Sequence, residues 1–174
     1  MNLNQNHFEL FGLPQDFNVD AAALDARYRE LQREVHPDRF ATASDAEKRL
    51  SMQMATRVNE AYRTLKSPLP RARYLLELMG VDAAAETNTA MPAEFLVEQM
   101  EWREGLEEAD RLGNACSLVR LDVEVKREMD EAYAELAAQF ARGDGKAAAG
   151  TVRKLMFFDR LQEEVSDTRD RYTP

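Results

Sequence analysis

Three observations predict an all-α protein. Apolar residues recur at helical spacing along most of the chain, alternating apolar and polar runs are scarce, and the few glycines and prolines fall mostly at the ends of periodic segments. They divide the 174 residues into an N-terminal antiparallel helical hairpin and a C-terminal three-helix bundle. A hydrophobic content of 44% is enough to bury a core without disulfide staples.

The first element is a short helix from His7 to Leu13, broken by Pro14. Asp20 is placed to cap a second helix running to Val35, with Leu24, Tyr28, Leu31 and Val35 as its core stripe. A polar loop through Ala43 leads to a helix over Asp45 to Lys66, whose inner face is Leu50, Met54, Val58, Ala61 and Leu65. Pro68 and Pro70 then punctuate the chain before a shorter helix, Arg71 to Met79, ended by Gly80. The polar, alanine-rich stretch Val81 to Ala90 reads as a connection between domains. Pro92 suits the first turn of a helix reaching Leu112, and two more follow over Ala115 to Ala141 and Gly145 to Arg169. Their connections, Gly113-Asn114 and Gly143-Asp144, are short enough to make neighbours antiparallel. The expected domains are therefore 1–79 and 92–174, joined by a linker over 80–91.

The net charge of -9 is unevenly spread. Residues 1–79 carry 11 basic and 11 acidic side chains, leaving 12 and 21 of the 23 basic and 32 acidic residues to the remainder. So acidic a second half repels phosphate backbones, which argues against nucleic acid and for a basic protein patch as partner. Two histidines and one distant cysteine offer no metal-ligand cluster, and there is no glycine-rich phosphate loop, so neither metal nor cofactor is expected. Cys116 has no paired histidine and is expected to be a half-buried structural thiol. The N-terminus lacks a basic segment followed by an apolar run, and no stretch approaches the roughly 20 apolar residues that span a bilayer. The expectation is a soluble cytoplasmic protein with no membrane partner.

One candidate site lies between the paired helices. His36-Pro37-Asp38 follows directly on the last core residue of the second helix, where proline ends the helix and restricts the residue before it. His36 stands seven positions after Arg29 and so prolongs nearly the same helix line, with Arg33 close to it and opposite the core stripe. Taken singly, a tripeptide and two surface arginines are what any solvated helix end displays. A His36/Asp38 catalytic dyad is the competing chemical idea, but a general base needs an enclosed substrate proton that an exposed loop does not offer.

The tripeptide between two amphipathic helices, with Asn59-Glu60-Ala61-Tyr62 late in the second, closely resembles the J domain of DnaJ-type co-chaperones over residues 6–76. That resemblance implies that His36, Pro37 and Asp38 trigger ATP hydrolysis in a DnaK-like chaperone, contacting its nucleotide-binding domain and interdomain linker, with Arg29 and Arg33 as electrostatic contacts. Val35 departs from the tyrosine that many J domains carry there; being apolar and on the core stripe, it leaves the recognition surface unchanged.

A second candidate site lies on the helix beginning near Pro92. Phe95, Gln99, Trp102, Leu106 and Ala109 form its core stripe, yet Leu96, Val97 and Met100 lie elsewhere, on a side shared with Glu101, Glu104 and Glu108. An apolar cluster rimmed by charge, on a helix that already has a core face, marks a docking surface. The alternative is that the short helix or the linker covers Leu96 and Met100. Phe157 sits at the margin of its own helix's core stripe of Leu155, Phe158, Leu161 and Val165, where it serves either core or interface.

Phe95-Leu96-Val97-Glu98-Gln99-Met100-Glu101 and Thr151-Val152-Arg153-Lys154-Leu155-Met156-Phe157-Phe158-Asp159 resemble the C-terminal domain of HscB-type co-chaperones. Phe11-Gly12-Leu13-Pro14 and Pro70-Arg71-Ala72-Arg73-Tyr74-Leu75-Leu76 extend the similarity to nearly the whole chain. The resemblance implies binding of an iron-sulfur cluster scaffold protein of the IscU type, with Leu96, Val97, Met100 and Phe157 as apolar contacts and Glu101, Glu104 and Glu108 as charged ones. It also implies an HscA-type chaperone as the ATPase partner. The cysteine-rich metal module of some relatives has no counterpart here, which is the pattern of the shorter bacterial form. Nor has the glycine- and phenylalanine-rich linker or the zinc repeats of general DnaJ proteins. The expectation is a monomeric, non-enzymatic co-chaperone; a J-domain protein serving a different folded client, or a helical enzyme using His36, is the alternative.

Overall fold

A computed structural model describes residues 5–40, 42–82 and 92–172, and every regular element among them is helical. The chain forms two compact units, Met1–Leu78 and Met79–Pro174.

In the first unit, α1 (His7–Phe11) opens with a capping box between Asn6 and Glu9. It closes at Gly12, whose φ of 64° lets the Gly12 and Leu13 amides return to the carbonyls of Glu9 and Phe8. The helix therefore stops two residues short of Leu13, because a left-handed glycine ends it before Pro14 has to. α2 (Ala21–Val35) starts on the Asp20 carboxylate, which accepts from the Ala22 and Ala23 amides. α3 (Asp45–Lys66) starts on a second capping box, Ser44 with Glu47. Leu24, Leu31 and Val35 of α2 are buried, as are Met54, Val58, Ala61 and Leu65 of α3, and the two helices pack on one another.

Two members of the expected stripes behave differently. Tyr28 is half-buried at the edge, stacked on Tyr62 with centroids 3.9 Å apart, and its hydroxyl donates to Asn59 at 2.8 Å. Leu50 is 49% exposed, and its neighbour Ser51 is buried instead. The physical reason is the end of α2: the last carbonyls of a helix lack intrahelical donors, and the Ser51 hydroxyl supplies one to Val35 at 2.8 Å. Burying Leu50 there would have left that carbonyl unpaired.

α4 (Pro68–Leu78) contains both prolines that were expected to precede it. First-turn amides have no intrahelical acceptor, so proline at its first and third positions costs no hydrogen bond. Leu69, Ala72, Leu75 and Leu76 are its buried residues, and it packs on α3. The Tyr74 hydroxyl accepts from the His7 amide at 3.0 Å, with the two rings stacked at 4.2 Å, which joins the end of the unit to its beginning.

The second unit comprises α5 (Ala93–Arg111), α6 (Ala115–Ala141) and α7 (Gly145–Asp170). The turns between them use Gly113 and Gly143 at φ of 58° and 69°, followed by Asn114 and Asp144, whose side chains cap the next helix. The core is filled by Phe95 and Leu106 of α5, Leu118, Val125 and Leu136 of α6, and Val152, Leu155, Phe158, Leu161 and Val165 of α7. Buried Asp122 is paired with Lys126 at 2.7 Å and Arg169 at 3.3 Å, so its charge is compensated from its own helix and from α7. Cys116 is exposed rather than half-buried: on α6 it points roughly opposite to Leu118 and Val125, which face the core. Of the expected linker, residues 83–91 lie outside the described residues.

Candidate functional site

The first site grows out of the way α2 ends. Val35 is buried, and the next residue, His36, leaves the helix in an extended conformation with ψ of 129°, as a residue before proline must. The chain then makes a single tight 3-10 turn over Pro37–Phe40, where a plain polar loop was expected. Within that turn the Arg39 amide donates to the His36 carbonyl at 3.0 Å and the Asp38 amide to His36 Nδ1 at 3.3 Å. Since Nδ1 accepts, the neutral ring carries its proton on Nε2 and offers it as a donor. The Asp38 carboxylate stands 3.6 Å from Nδ1, too long for a hydrogen bond, and the two side chains are 90% and 59% exposed. The turn therefore leaves both side chains open to solvent at the end of the hairpin.

Arg29 and Arg33 are exposed along α2, and with His36 and Arg39 they border a cleft of about 670 Å³ whose floor includes Val35 and Ala55. Arg39 was not singled out from sequence; its guanidinium donates to the Arg33 carbonyl at 3.3 Å, answering another unpaired carbonyl at the end of α2. Its position three residues after His36 was the available signal. The α2–α3 hairpin is also tied by Asp25, which accepts from Lys66 at 2.6 Å and Tyr62 at 2.9 Å. The Lys66 bond, then the Tyr62 bond, hold the Asp25 carboxyl below its usual range, while Asp25 raises both Lys66 and Tyr62.

The second site is on α5. Leu96, Val97 and Met100 are 48%, 55% and 62% exposed, while Phe95, Leu106 and Ala109 of the same helix are buried and Gln99 and Trp102 half-buried. Glu101, Glu104 and Glu108 are exposed beside the apolar trio. Phe157 of α7 is half-buried, its ring edge-on to Phe95 at 5.7 Å and against Phe158 at 5.4 Å. Over it lies the Arg103 guanidinium, 5.8 Å from the ring centroid and paired with Glu164 at 3.4 Å. Arg103 is a residue the sequence reading missed; it stands one turn after Met100, which is the spacing that would have found it.

Residues 6–74 match the family described as the DnaJ domain, and residues 91–166 match the HSCB C-terminal oligomerisation domain. The co-chaperone protein HscB homolog of Azoarcus sp. strain BH72 is 55% identical over 168 residues, covering 96% of this chain and 95% of that protein. The chain belongs to the HscB co-chaperone family. Its HscB homolog from Paraburkholderia phymatum is 50% identical over 97% of both chains. Among solved structures, the chaperone HscB from Vibrio cholerae superimposes with a TM-score of 0.86 at 40% identity, over 97% of this chain and 100% of that one. The human co-chaperone HscB gives 0.89 at 34% identity, over 95% and 83%. An HscB-family protein with a J domain is a co-chaperone that works with an Hsp70-type chaperone. No helix among the described residues is long and apolar enough to cross a membrane.

Proposed function

We propose that this protein is a bivalent adaptor of iron-sulfur cluster biogenesis. Its C-terminal bundle holds an IscU-like scaffold protein, and its J domain delivers that scaffold to an HscA-like, DnaK-type chaperone and stimulates the chaperone's ATPase. The observation that carries the reading is that each compact unit has a filled core and still displays a second, exposed face: the His36-Asp38 turn with Arg29 and Arg33 on one, Leu96, Val97 and Met100 on the other. Neither face is needed for its own unit's core, and a patch of that kind is what a docking partner covers.

The division of labour is J domain 1–79, linker 80–91 and scaffold-binding bundle 92–174. In the J domain, His36, Pro37 and Asp38 are the trigger, with Arg29 and Arg33 attracting an acidic surface of the chaperone. On the bundle, Leu96, Val97, Met100 and the exposed part of Phe157 supply apolar contact, and Glu101, Glu104 and Glu108 select a basic rim on the scaffold. Holding both partners on one chain raises the local concentration of each relative to the other, which promotes cluster transfer and maturation of iron-sulfur proteins without any new contact between them. The working form is a cytoplasmic monomer acting on no substrate of its own.

The test is steady-state ATP hydrolysis by an HscA-type chaperone, with and without this protein and with and without an IscU-type scaffold. Stimulation that requires the scaffold is the expected result. Stimulation indifferent to the scaffold would leave the J domain with some other client, and no stimulation at all would end the proposal.

A further inference from the structure

The apolar face of α5 has a charged rim on both sides, and the two rims differ in sign. At about 100° per residue Arg103 lies about 20° from Leu96 and about 60° from Met100, on the side away from Glu104. Leu96 and Met100 are therefore flanked by a cation on one side and by carboxylates on the other, and all of these side chains are exposed. Phe157 belongs to the cation's side, since the Arg103 guanidinium stands 5.8 Å from its ring centroid. A protein that covers Leu96, Met100 and Phe157 covers Arg103 as well.

The guanidinium is only loosely held where it is. Among the described residues Nη1 alone is hydrogen-bonded, donating to Glu164 Oε2 at 3.4 Å, well beyond the roughly 2.7–2.9 Å of a close charge-assisted bond. Its other N–H groups are left to water, which a side chain 51% exposed still meets. Docking removes that water, and a cation stripped of water needs acceptors of matching charge. We infer that Arg103 is a specificity-determining residue of the α5 face, exchanging its ion pair with Glu164 for a carboxylate of the docked protein. That role rests on the reading of the face as the scaffold site. A carboxylate fills the planar donor fork at two points, where Glu164 takes one, and an exposed pair contributes so little that Glu164 gives way at small cost. The partner selected carries a carboxylate on one side of its apolar contact and basic groups on the other. Two rims of opposite sign fix the orientation in which it docks.

Titration calorimetry of the full chain with an IscU-type scaffold, at about 0.15 M salt, tests this role because net charge predicts the reverse signs. By charge alone, neutralising Arg103 makes an acidic face more acidic and tightens a partner with a basic rim, and neutralising Glu164 does the opposite. With carboxylate exchange, R103Q should bind about tenfold more weakly and E164Q about threefold more tightly. R103K should fall between R103Q and wild type, because an ammonium keeps the charge but not the fork. In R103Q/E164Q the gain from E164Q should vanish, since nothing remains for Glu164 and the partner's carboxylate to compete for. R103Q at or above wild-type affinity, E164Q at or below it, or a gain that survives in the double variant would each overturn the role of Arg103 and leave the proposed function standing. A wild type with no affinity for the scaffold would instead remove that function, and the role of Arg103 with it.

Discussion

The two units build their exposed faces, proposed above as docking sites, by opposite means. In the first, the face exists because a helix is ended: Pro37 stops α2, and the turn that follows aims His36 and Asp38 through backbone hydrogen bonds. In the second, the face exists because a helix continues: α5 carries Leu96, Val97 and Met100 on a side its own core does not use. A face built from one turn depends on a few specific atoms. A face built from spread apolar area divides its contribution among several side chains. Single substitutions should therefore act as a switch on the first and as a dial on the second.

The largest effect is expected at His36. His36→Gln keeps a polar side chain but not the imidazole whose Nε2 proton the turn presents, so stimulation of the chaperone's ATPase should fall to the chaperone's unstimulated rate. Scaffold affinity, measured by titration calorimetry, should be unchanged, and so should the melting temperature, because the side chain is more exposed than buried. Partial stimulation would show that the first face is also a dial, with Arg29 and Arg33 carrying much of it.

A smaller, graded loss is expected on α5. Leu96→Ala or Met100→Ala removes one exposed apolar side chain from a proposed interface that buries it, a loss of roughly 1–2 kcal/mol or about tenfold in scaffold affinity. Maximal ATPase stimulation at saturating scaffold should stay as in wild type. Were either substitution to abolish binding outright, the contrast between the two faces would fail, and the second would also depend on a single anchor.

How much of this was legible in the sequence follows the same division. Capping residues act within three positions of where they sit, so Asp20, Asn114 and Asp144 could be read as helix starts, and the boundaries Asp45–Lys66 and Ala115–Ala141 follow from that local chemistry. The exposed trio on α5 could be read as well, because it breaks a periodicity that is itself local. What could not be read depended on contacts between elements. Leu50 satisfies the helical period of α3 as well as Met54 does; only the unpaired carbonyl of Val35, contributed by another helix, explains why Ser51 is the buried one. Likewise, Arg103 over Phe157 joins positions 54 residues apart in the chain, and Phe157 remained ambiguous because its half-burial depends on both Phe95 and that guanidinium.

The smallest effect concerns whether the first unit's stability can be shifted without touching either face. His7 is stacked on Tyr74 and its Nδ1 is buried without a hydrogen-bond partner. Burial first, and the nearby Arg57 charge second, hold its pKa below the usual value of 6.5, against the weaker opposite pull of Glu60 and Glu77. Because the folded value is the lower one, the folded unit binds fewer protons than the unfolded chain below pH 6.5, so stability is full above that pH and declines as pH falls from it through the folded pKa. His7→Phe keeps a ring to stack on Tyr74 and leaves the backbone amide that donates to the Tyr74 hydroxyl, but it has nothing to protonate. Melting of the wild type at stepped pH should show a shallow loss beginning just below 6.5, and the variant should lose that component while keeping any acid limb due to carboxylates such as Asp25. A variant with the same slope as wild type would mean that His7 titrates alike in both states. A slope that vanished together with ATPase stimulation would show that the α1–α4 joint and the His36 turn are coupled, so that the first face is not built from the end of α2 alone.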